Sequence, residues 1–192
     1  MARCYSVPVK NRQSSLPTLW LVSDARNDAG LERALARLPR GSGLVFRHYH
    51  LAPEARRARF DALRRLAHRH GHLAMLAGEP ALARRWHADG AYGAPERLPR
   101  RPGMARKPGM VHLATVHSLR ELARAHRAGA DAVLISPVFP TASHPGSGTL
   151  GPVRFKLLAA RAQVSVIALG GITQHRARTA RIPRWAAIDG LS

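Results

Sequence analysis

The chain has 192 residues, 45% of them hydrophobic and only one a cysteine (Cys4), which fits one domain with a true core and excludes an intrachain disulfide framework or a cysteine-based metal site. The formal charge of +20 rests almost wholly on arginine, with lysine only at 10, 107 and 156; the basic residues are spread over the whole chain, aromatics make up 5%, and no zinc-finger or RNP-like pattern occurs, so an anionic small ligand is expected rather than nucleic acid. No apolar run approaches the ~18 residues that span a bilayer and residues 1–17 lack an apolar signal core, so the expected setting is cytoplasmic, with no membrane partner and with homo-oligomerisation left open.

Residues 1–15 read as a basic, poorly ordered extension ahead of a domain over 16–192. Within that domain the hydrophobic period alternates between 2 and 3.6. "LPTLWLVSD" (16–24) is a short apolar strand, and "DAGLERALARLP" (28–39) has helical spacing with Asp28 placed to cap it. "SGLVFRHYH" (42–50) is the second strand. The helix over 52–70 should turn Ala55, Ala62, Leu63, Leu66 and Ala67 inward and Arg57, Asp61, Arg64 and His68 outward. A third strand (72–78), a third helix (80–88) and a brief fourth strand (89–95) follow. The Pro-, Gly- and Arg-rich stretch 96–109 reads as a loop without a regular fourth helix. "MVHLATVH" (110–117) is the fifth strand. The next helix (118–129) carries Ser118 as N-cap, Glu121 at the capping-box position and a closing Gly129. The sixth strand (130–139), a helix (151–162) with Pro152 in its first turn, the seventh strand (164–172), a helix (173–182) and an eighth strand (184–190) complete the chain, with no final helix. Eight βα units, two of whose strands are nearly continuous apolar runs, predict an α/β fold: a compact (β/α)8 TIM barrel, with an open doubly wound sheet as the alternative.

In such a barrel, chemistry belongs at the C-terminal ends of the strands, with a phosphate site commonly built after strands seven and eight. "ALGGIT" places Gly170 and Gly171 there, ahead of Thr173 as a helix N-cap; glycines let backbone N–H groups close on an anion, and equally serve a tight turn. Strand six ends near Ser136 and runs into "PTASHPGSGTLG", whose Thr141, Ser143, Ser147 and Thr149 hydroxyls and His144 suit a loop that grips phosphate. His117, at the end of strand five, is a candidate acid/base. Arg47 and His48, at the end of strand two, would both reach the mouth, where an arginine can hold phosphate bidentately. Asp24, Glu79, Asp89 and Asp189 are the carboxylates near strand ends, and no pair of them reads as a magnesium site.

Several of these stretches together resemble the thiamine phosphate synthase/TenI (thiazole tautomerase) family. "LWLVSD" is similar to its first strand, "LVFR" to its second, "ADGAYGAP" to its short fourth, "ATVHS" to the segment before helix five, "GADAVLISPVFPTASHPG" to strand six and the phosphate loop, "VIALGGIT" to the Gly-Gly phosphate turn, and "AAIDGLS" to the last strand. The resemblance implies a barrel that binds the thiazole phosphate of thiamine biosynthesis. Synthases couple it to an aminopyrimidine diphosphate using Mg²⁺; tautomerases convert it to its aromatic isomer without a metal or other cofactor. It also implies a ligand-binding role for Arg47, an acid/base role for His117 and phosphate contacts from Ser136, Thr141, Ser143, His144, Gly170 and Gly171. The chain departs from the synthase pattern: Ala77-Gly78 stands for the Asn-Asp after strand three, Gly93-Ala94-Pro95-Glu96 for the Gly-Gln-x-Asp after strand four, His48-Tyr49 for the Glu-Lys after the arginine, and the phosphate-loop lysine is replaced near His144. The resemblance therefore implies a retained thiazole-phosphate half-site and a dismantled diphosphate half-site, with tautomerase chemistry favoured, synthase chemistry the alternative, and a non-catalytic phosphate-ligand protein the further one.

Overall fold

The computed structural model describes residues 16–98, 110–141, 146, 148–189 and 191; the expected N-terminal extension and the loop positions Ser143, His144 and Ser147 lie outside them. Eight parallel strands run β1 (Leu19–Val22), β2 (Gly43–Phe46), β3 (Leu73–Ala77), β4 (Gly90–Gly93), β5 (Val111–Val116), β6 (Ala132–Ile135), β7 (Ser165–Ala168) and β8 (Trp185–Ala187). Each pairs with its sequence neighbour and β8 pairs back onto β1, so the sheet is a closed barrel. The open doubly wound alternative is thereby excluded. Outside the strands lie α1 (Leu31–Arg37), α2 (Pro53–Arg69), α3 (Pro80–Arg85), α4 (Leu119–Arg127), α5 (Gly151–Ala159) and α6 (Gln174–Thr179). Between β4 and β5 the described residues form only a 3-10 turn, Pro95–Arg97, and those after β8 form no helix.

Alternation along the strands separates two environments. Trp20, Val22, Val45, Met75, Tyr92, Leu113, Leu134, Ile167 and Ile188 face into the barrel, whereas Leu21, Leu44, Phe46, Leu76, Val116, Val133 and Ile135 face the helices. Two inward glycines make the interior fit: a Cβ on Gly43 would collide with the Trp20 ring, and one on Gly90 with Met75. Trp20 donates its indole N–H to the Pro17 carbonyl at 2.9 Å, so the buried ring keeps its polar group satisfied.

Three local expectations are corrected. Asp28 caps no helix: Asp24 accepts from Arg26 N and caps a 3-10 turn over Ala25–Gly30, and α1 starts only at Leu31. Asp28 instead faces His48 and Arg59. On α2, Ala55 and Ala62 are exposed and the buried residues are Phe60, Leu63 and Ala67. The inward face is rotated because Arg56 and Arg59 find acceptors there, Arg56 on the Arg47 and Ala77 carbonyls and Arg59 on Asp28 and Glu32. Asp89 sits just before β4, at the N-terminal end of the strands and away from the mouth, where it holds Ala74 N (2.7 Å) and His68 (2.8 Å).

Candidate active site

A cavity of about 960 Å³ opens at the C-terminal ends of the strands. Period-2 alternation carries Arg47 and Thr115 to its wall, two residues beyond the inward Val45 and Leu113. The same alternation turns His48 away. It is a non-glycine residue at φ 37°, buried behind the mouth rather than lining it, which corrects the expectation that both residues would reach the ligand. Its ring stacks on Phe46 (4.7 Å between centroids) and is hydrogen-bonded to Ser23 Oγ at 2.7 Å and Asp28 Oδ1 at 2.8 Å. Burial lowers the His48 pKa below its ordinary value, more than the Asp28 hydrogen bond raises it. The ring is therefore neutral at pH 7: Ser23 donates to Nδ1, and Nε2–H donates to Asp28. Burial pulls the Asp28 carboxyl up, but the His48 and Arg59 hydrogen bonds outweigh it and hold the pKa below the usual range. Ser23 Oγ also accepts the Arg47 N–H at 2.8 Å, and Arg56 donates to the Arg47 carbonyl at 2.9 Å. The main chain of Arg47 is thus fixed from both sides while its guanidinium stands in the cavity, 3.7 Å from Asp24.

His117 lines the same cavity, with its side chain 49% exposed. The capping box at α4 is half formed as expected, since Ser118 Oγ accepts from Glu121 N at 3.2 Å. The Glu121 carboxylate reaches one residue further back, accepting from His117 N at 2.6 Å and lying 2.9 Å from His117 Nδ1. A carboxylate can only accept, so Nδ1 carries a proton, and it is Nε2 that holds the lone pair in the neutral ring. Tyr92 and Thr115, hydrogen-bonded to each other, line the wall beside it; burial drives the Tyr92 pKa upward, more than the Thr115 bond and the Arg47 charge lower it.

Gly170 and Gly171 form the far rim. Both have positive φ (96° and 59°), and both are in tight contact with the strand-six loop: a Cβ on Gly170 would lie 2.7 Å from Pro137 Cα, and one on Gly171 would overlap the Pro140 carbonyl. The loop is tied to this turn by Val138 N to Leu169 O and Phe139 N to Gly170 O, each 3.0 Å. Ser136 and Thr141 line the cavity beside the two glycines. Thr173 caps α6 as expected, accepting from Arg176 N at 3.2 Å, and Arg176 donates to the Gly171 carbonyl at 2.6 Å. Of the residues singled out from sequence, His117, Arg47, Ser136, Thr141, Gly170, Gly171, Thr173 and Asp189 therefore share one cavity, Asp189 being the one carboxylate among the described residues of its lining. Tyr49, Tyr92, Arg97, Thr115 and Arg176 were missed. Thr115 and Tyr49 could have been found by stepping two residues from His117 and Arg47; Arg97 and Arg176 lie in a turn and a helix, where no such period points at the mouth.

The family model for thiamine monophosphate synthase (TMP-TENI) matches residues 19–190. The chain belongs to that family. Curated relatives of the family are named thiamine-phosphate synthase. The protein from Synechococcus sp. (strain WH7803) is 32% identical over 90% of this chain, and the chain spans 52% of that relative's length. The protein from Pyrococcus furiosus is 26% identical over 83% of this chain and 78% of its own. A solved thiamine phosphate pyrophosphorylase from Pyrococcus furiosus shares the fold, with a TM-score of 0.73 and 23% identity over 93% of this chain and 87% of that one. No helix among the described residues is long and apolar enough to cross a membrane.

Proposed function

We propose that the chain acts in thiamine biosynthesis, binding a thiazole phosphate in this cavity and moving one proton on the thiazole to give the aromatic isomer, with His117 as the acid/base. The observation that carries this reading is the His117–Glu121 pair at the cavity wall: Nδ1–H donates to a carboxylate and Nε2 is left to take a proton. Nε2 removes the proton from the saturated ring carbon of the non-aromatic tautomer; the resulting imidazolium is held by Glu121 and returns a proton at the exocyclic carbon double-bonded to the ring, so the ring becomes aromatic and the net change is an isomerisation. The phosphate is assigned to the Gly170–Gly171 turn with Thr141 and Ser136, and Ser143 and His144 are proposed as further contacts from the same loop. Arg47 supplies a fixed positive charge across the cavity.

The family resemblance brings Mg²⁺ with the synthase reaction, and the donor set of this chain does not suit it. The chain has eleven Asp and Glu residues, all among the described residues. Ten of them already hold a hydrogen-bond or ion-pair partner. The eleventh, Glu54, stands exposed in the first turn of α2 and does not line the cavity. After β3, Glu79 pairs with Arg97; after β4, Glu96 turns to Arg124 at 2.6 Å and does not line the cavity. Among the described residues no group of three or more His, Cys, Asp or Glu could share an ion. No step is therefore routed through a metal. The second reading, coupling of an aminopyrimidine diphosphate with release of pyrophosphate, is favoured by the names of the curated relatives.

A paired assay separates the two. Purified protein receives the non-aromatic thiazole phosphate alone and, separately, the aromatic form with aminopyrimidine diphosphate and Mg²⁺. Aromatisation without coupling is expected, with His117→Ala abolishing turnover while leaving phosphate binding nearly intact. Unchanged turnover in His117→Ala removes this histidine from the mechanism, and coupling in the second arm replaces the isomerase reading with the synthase one.

A further inference from the structure

The ladder between β1 and β2 ends on a side chain. With Val22 opposite Val45, a parallel ladder carries the Ser23 N–H to the Val45 carbonyl and the Arg47 N–H to the Ser23 carbonyl. The first bond is made, at 2.9 Å. In place of the second, the Arg47 N–H donates to the Ser23 hydroxyl at 2.8 Å, and the chain then turns through His48 at φ 37°. The last rung before Arg47 enters the cavity therefore depends on how one hydroxyl is held. That hydroxyl has two partners among the described residues, Arg47 N and His48 Nδ1. Ser23 and His48 are 0% and 1% exposed, so water does not stand in for either partner.

The far side of the ring fixes the direction of this chain of bonds. Nε2 lies 2.8 Å from Asp28 Oδ1, which also accepts from Arg59 Nε at 2.9 Å, and Arg59 is held in turn by Glu32. A carboxylate only accepts, so Nε2 carries the proton, Nδ1 is the acceptor, and the Ser23 hydroxyl donates to it while its oxygen takes the Arg47 N–H. Asp28 from the 3-10 turn and Arg59 from α2 are the charged groups that face the ring; the titratable His50 ring faces it from the segment after β2, 5.1 Å away, and Phe46 stacks on it as an apolar neighbour. Burial opposes a second ring proton, as do the His50 and Arg59 charges, and Asp28 favours it. That proton, at Nδ1, would meet the hydroxyl donor to donor. The hydroxyl would have to turn away, and its proton would then lack an acceptor among the partners it has.

We propose that His48 is a positioning residue for Arg47: the neutral ring holds the Ser23 hydroxyl as the last rung between β1 and β2, and a proton on the ring releases the Arg47 main chain from it. The bearing of this relay on the ligand rests on the reading that Arg47 faces the ligand; the relay itself does not.

Amide hydrogen exchange of the full chain without ligand tests it, read by NMR as the protection of the Arg47 N–H relative to that of Val45 inside the ladder, with the His48 ring nitrogens followed in the same samples from about pH 7.5 to about pH 4.5. In wild type the ratio is expected to fall about tenfold, the worth of one buried hydrogen bond, in step with the titration of His48 itself. Ser23→Ala and His48→Ala should show the low ratio at every pH. His48→Asn should keep the high ratio and lose the step, because asparagine tolerates the left-handed backbone and its carbonyl accepts from Ser23 without titrating. A loss of overall stability in any variant lowers Val45 together with Arg47 and leaves the ratio unmoved. A ratio level with pH in wild type, wild-type protection in Ser23→Ala, a step that survives in His48→Asn, or a His48→Asn no better than His48→Ala overturns the proposal. Neither ligand nor turnover enters, so a protein without isomerase activity that passes leaves the relay standing, and an isomerase that fails loses only the relay.

Discussion

Glu121 Oε2 receives two donors from one residue, the His117 main-chain N–H and ring Nδ1–H. The first contact fixes the carboxylate against the start of α4, and the second fixes the imidazole against the carboxylate. Such an arrangement does little for substrate affinity and much for a state in which the ring is positively charged, because the carboxylate stabilises the imidazolium that forms only during proton transfer. Glu121→Gln keeps the size of the side chain and removes the charge. In the proposed isomerisation its kcat should fall roughly tenfold to a hundredfold, a share of the roughly 10²–10⁴ that a positioned acid/base contributes, with KM changed by less than about twofold. Steady-state kinetics of the two proteins decides it: an unchanged kcat breaks the link between Glu121 and His117. A loss carried by KM alone would assign Glu121 to ligand binding instead.

At the scale of elements, the parts of the barrel legible in the sequence were those whose local chemistry and tertiary role agree. Ser118 and Thr173 are N-caps, Gly129 closes α4 at φ 70°, Pro152 opens α5, and the apolar runs of β6 and β7 are covered on both faces. The rest depends on side-chain chemistry that apolar periodicity does not register. Arg56 and Arg59 occupy the inner side of α2 because their guanidinium groups reach acceptors on other elements, and Asp28 serves His48 and Arg59 instead of a helix end. The glycine turn could be read either as a phosphate cradle or as a tight corner, and its geometry makes the corner a requirement in its own right. Gly171 sits at φ 59° with the Pro140 carbonyl where a Cβ would go. In Gly171→Ala the left-handed backbone costs about 1–2 kcal/mol, and the turn must move away from the strand-six loop. At 1.4 kcal/mol per tenfold, affinity for a phosphate ligand should drop by about tenfold, while the far-ultraviolet circular dichroism stays that of the barrel. Phosphate affinity equal to that of wild type would show that this turn does not hold the anion.

The whole molecule carries 31 Lys and Arg against 11 Asp and Glu. The sequence makes that imbalance plain, but not that nearly every carboxylate is engaged in holding an arginine, a histidine or a main-chain N–H in place. Those carboxylates include Asp24, Asp28 and Glu32, all with pKa values below their ordinary range. For Asp24 and Asp28 burial opposes the shift and arginine or histidine hydrogen bonds overcome it; for Glu32 the Arg59 hydrogen bond leads. Their contribution to stability is complete above the unfolded-state carboxylate pKa, near 4, and is lost only as pH falls from there toward the lower folded values. Two buried imidazoles act at a higher pH. Burial lowers His48 and His72 below the ordinary histidine value, against hydrogen bonds to Asp28 and the Leu35 carbonyl that raise them. Their folded forms take up a proton later than the unfolded chain does, so the unfolded state binds more protons and stability must fall as pH drops from about 7 through 6.5 and below. A charged His72 would also bury a second N–H, because its Nδ1 has no hydrogen-bond partner among the described residues. Self-repulsion in a chain already at +20 acts in the same direction. Thermal unfolding at pH 7.5 and 5.5 should therefore give a lower Tm at pH 5.5, where each 1 kcal/mol corresponds to about 2–4 °C for a domain of this size. His72→Leu should reduce that difference, since it removes an imidazole whose pKa burial lowers in the fold. A Tm that is level between the two pH values would mean that both rings protonate in the folded barrel as readily as in water, and that the hydrogen-bonded support of Arg47 through Ser23 and a neutral His48 is not what holds the mouth in shape.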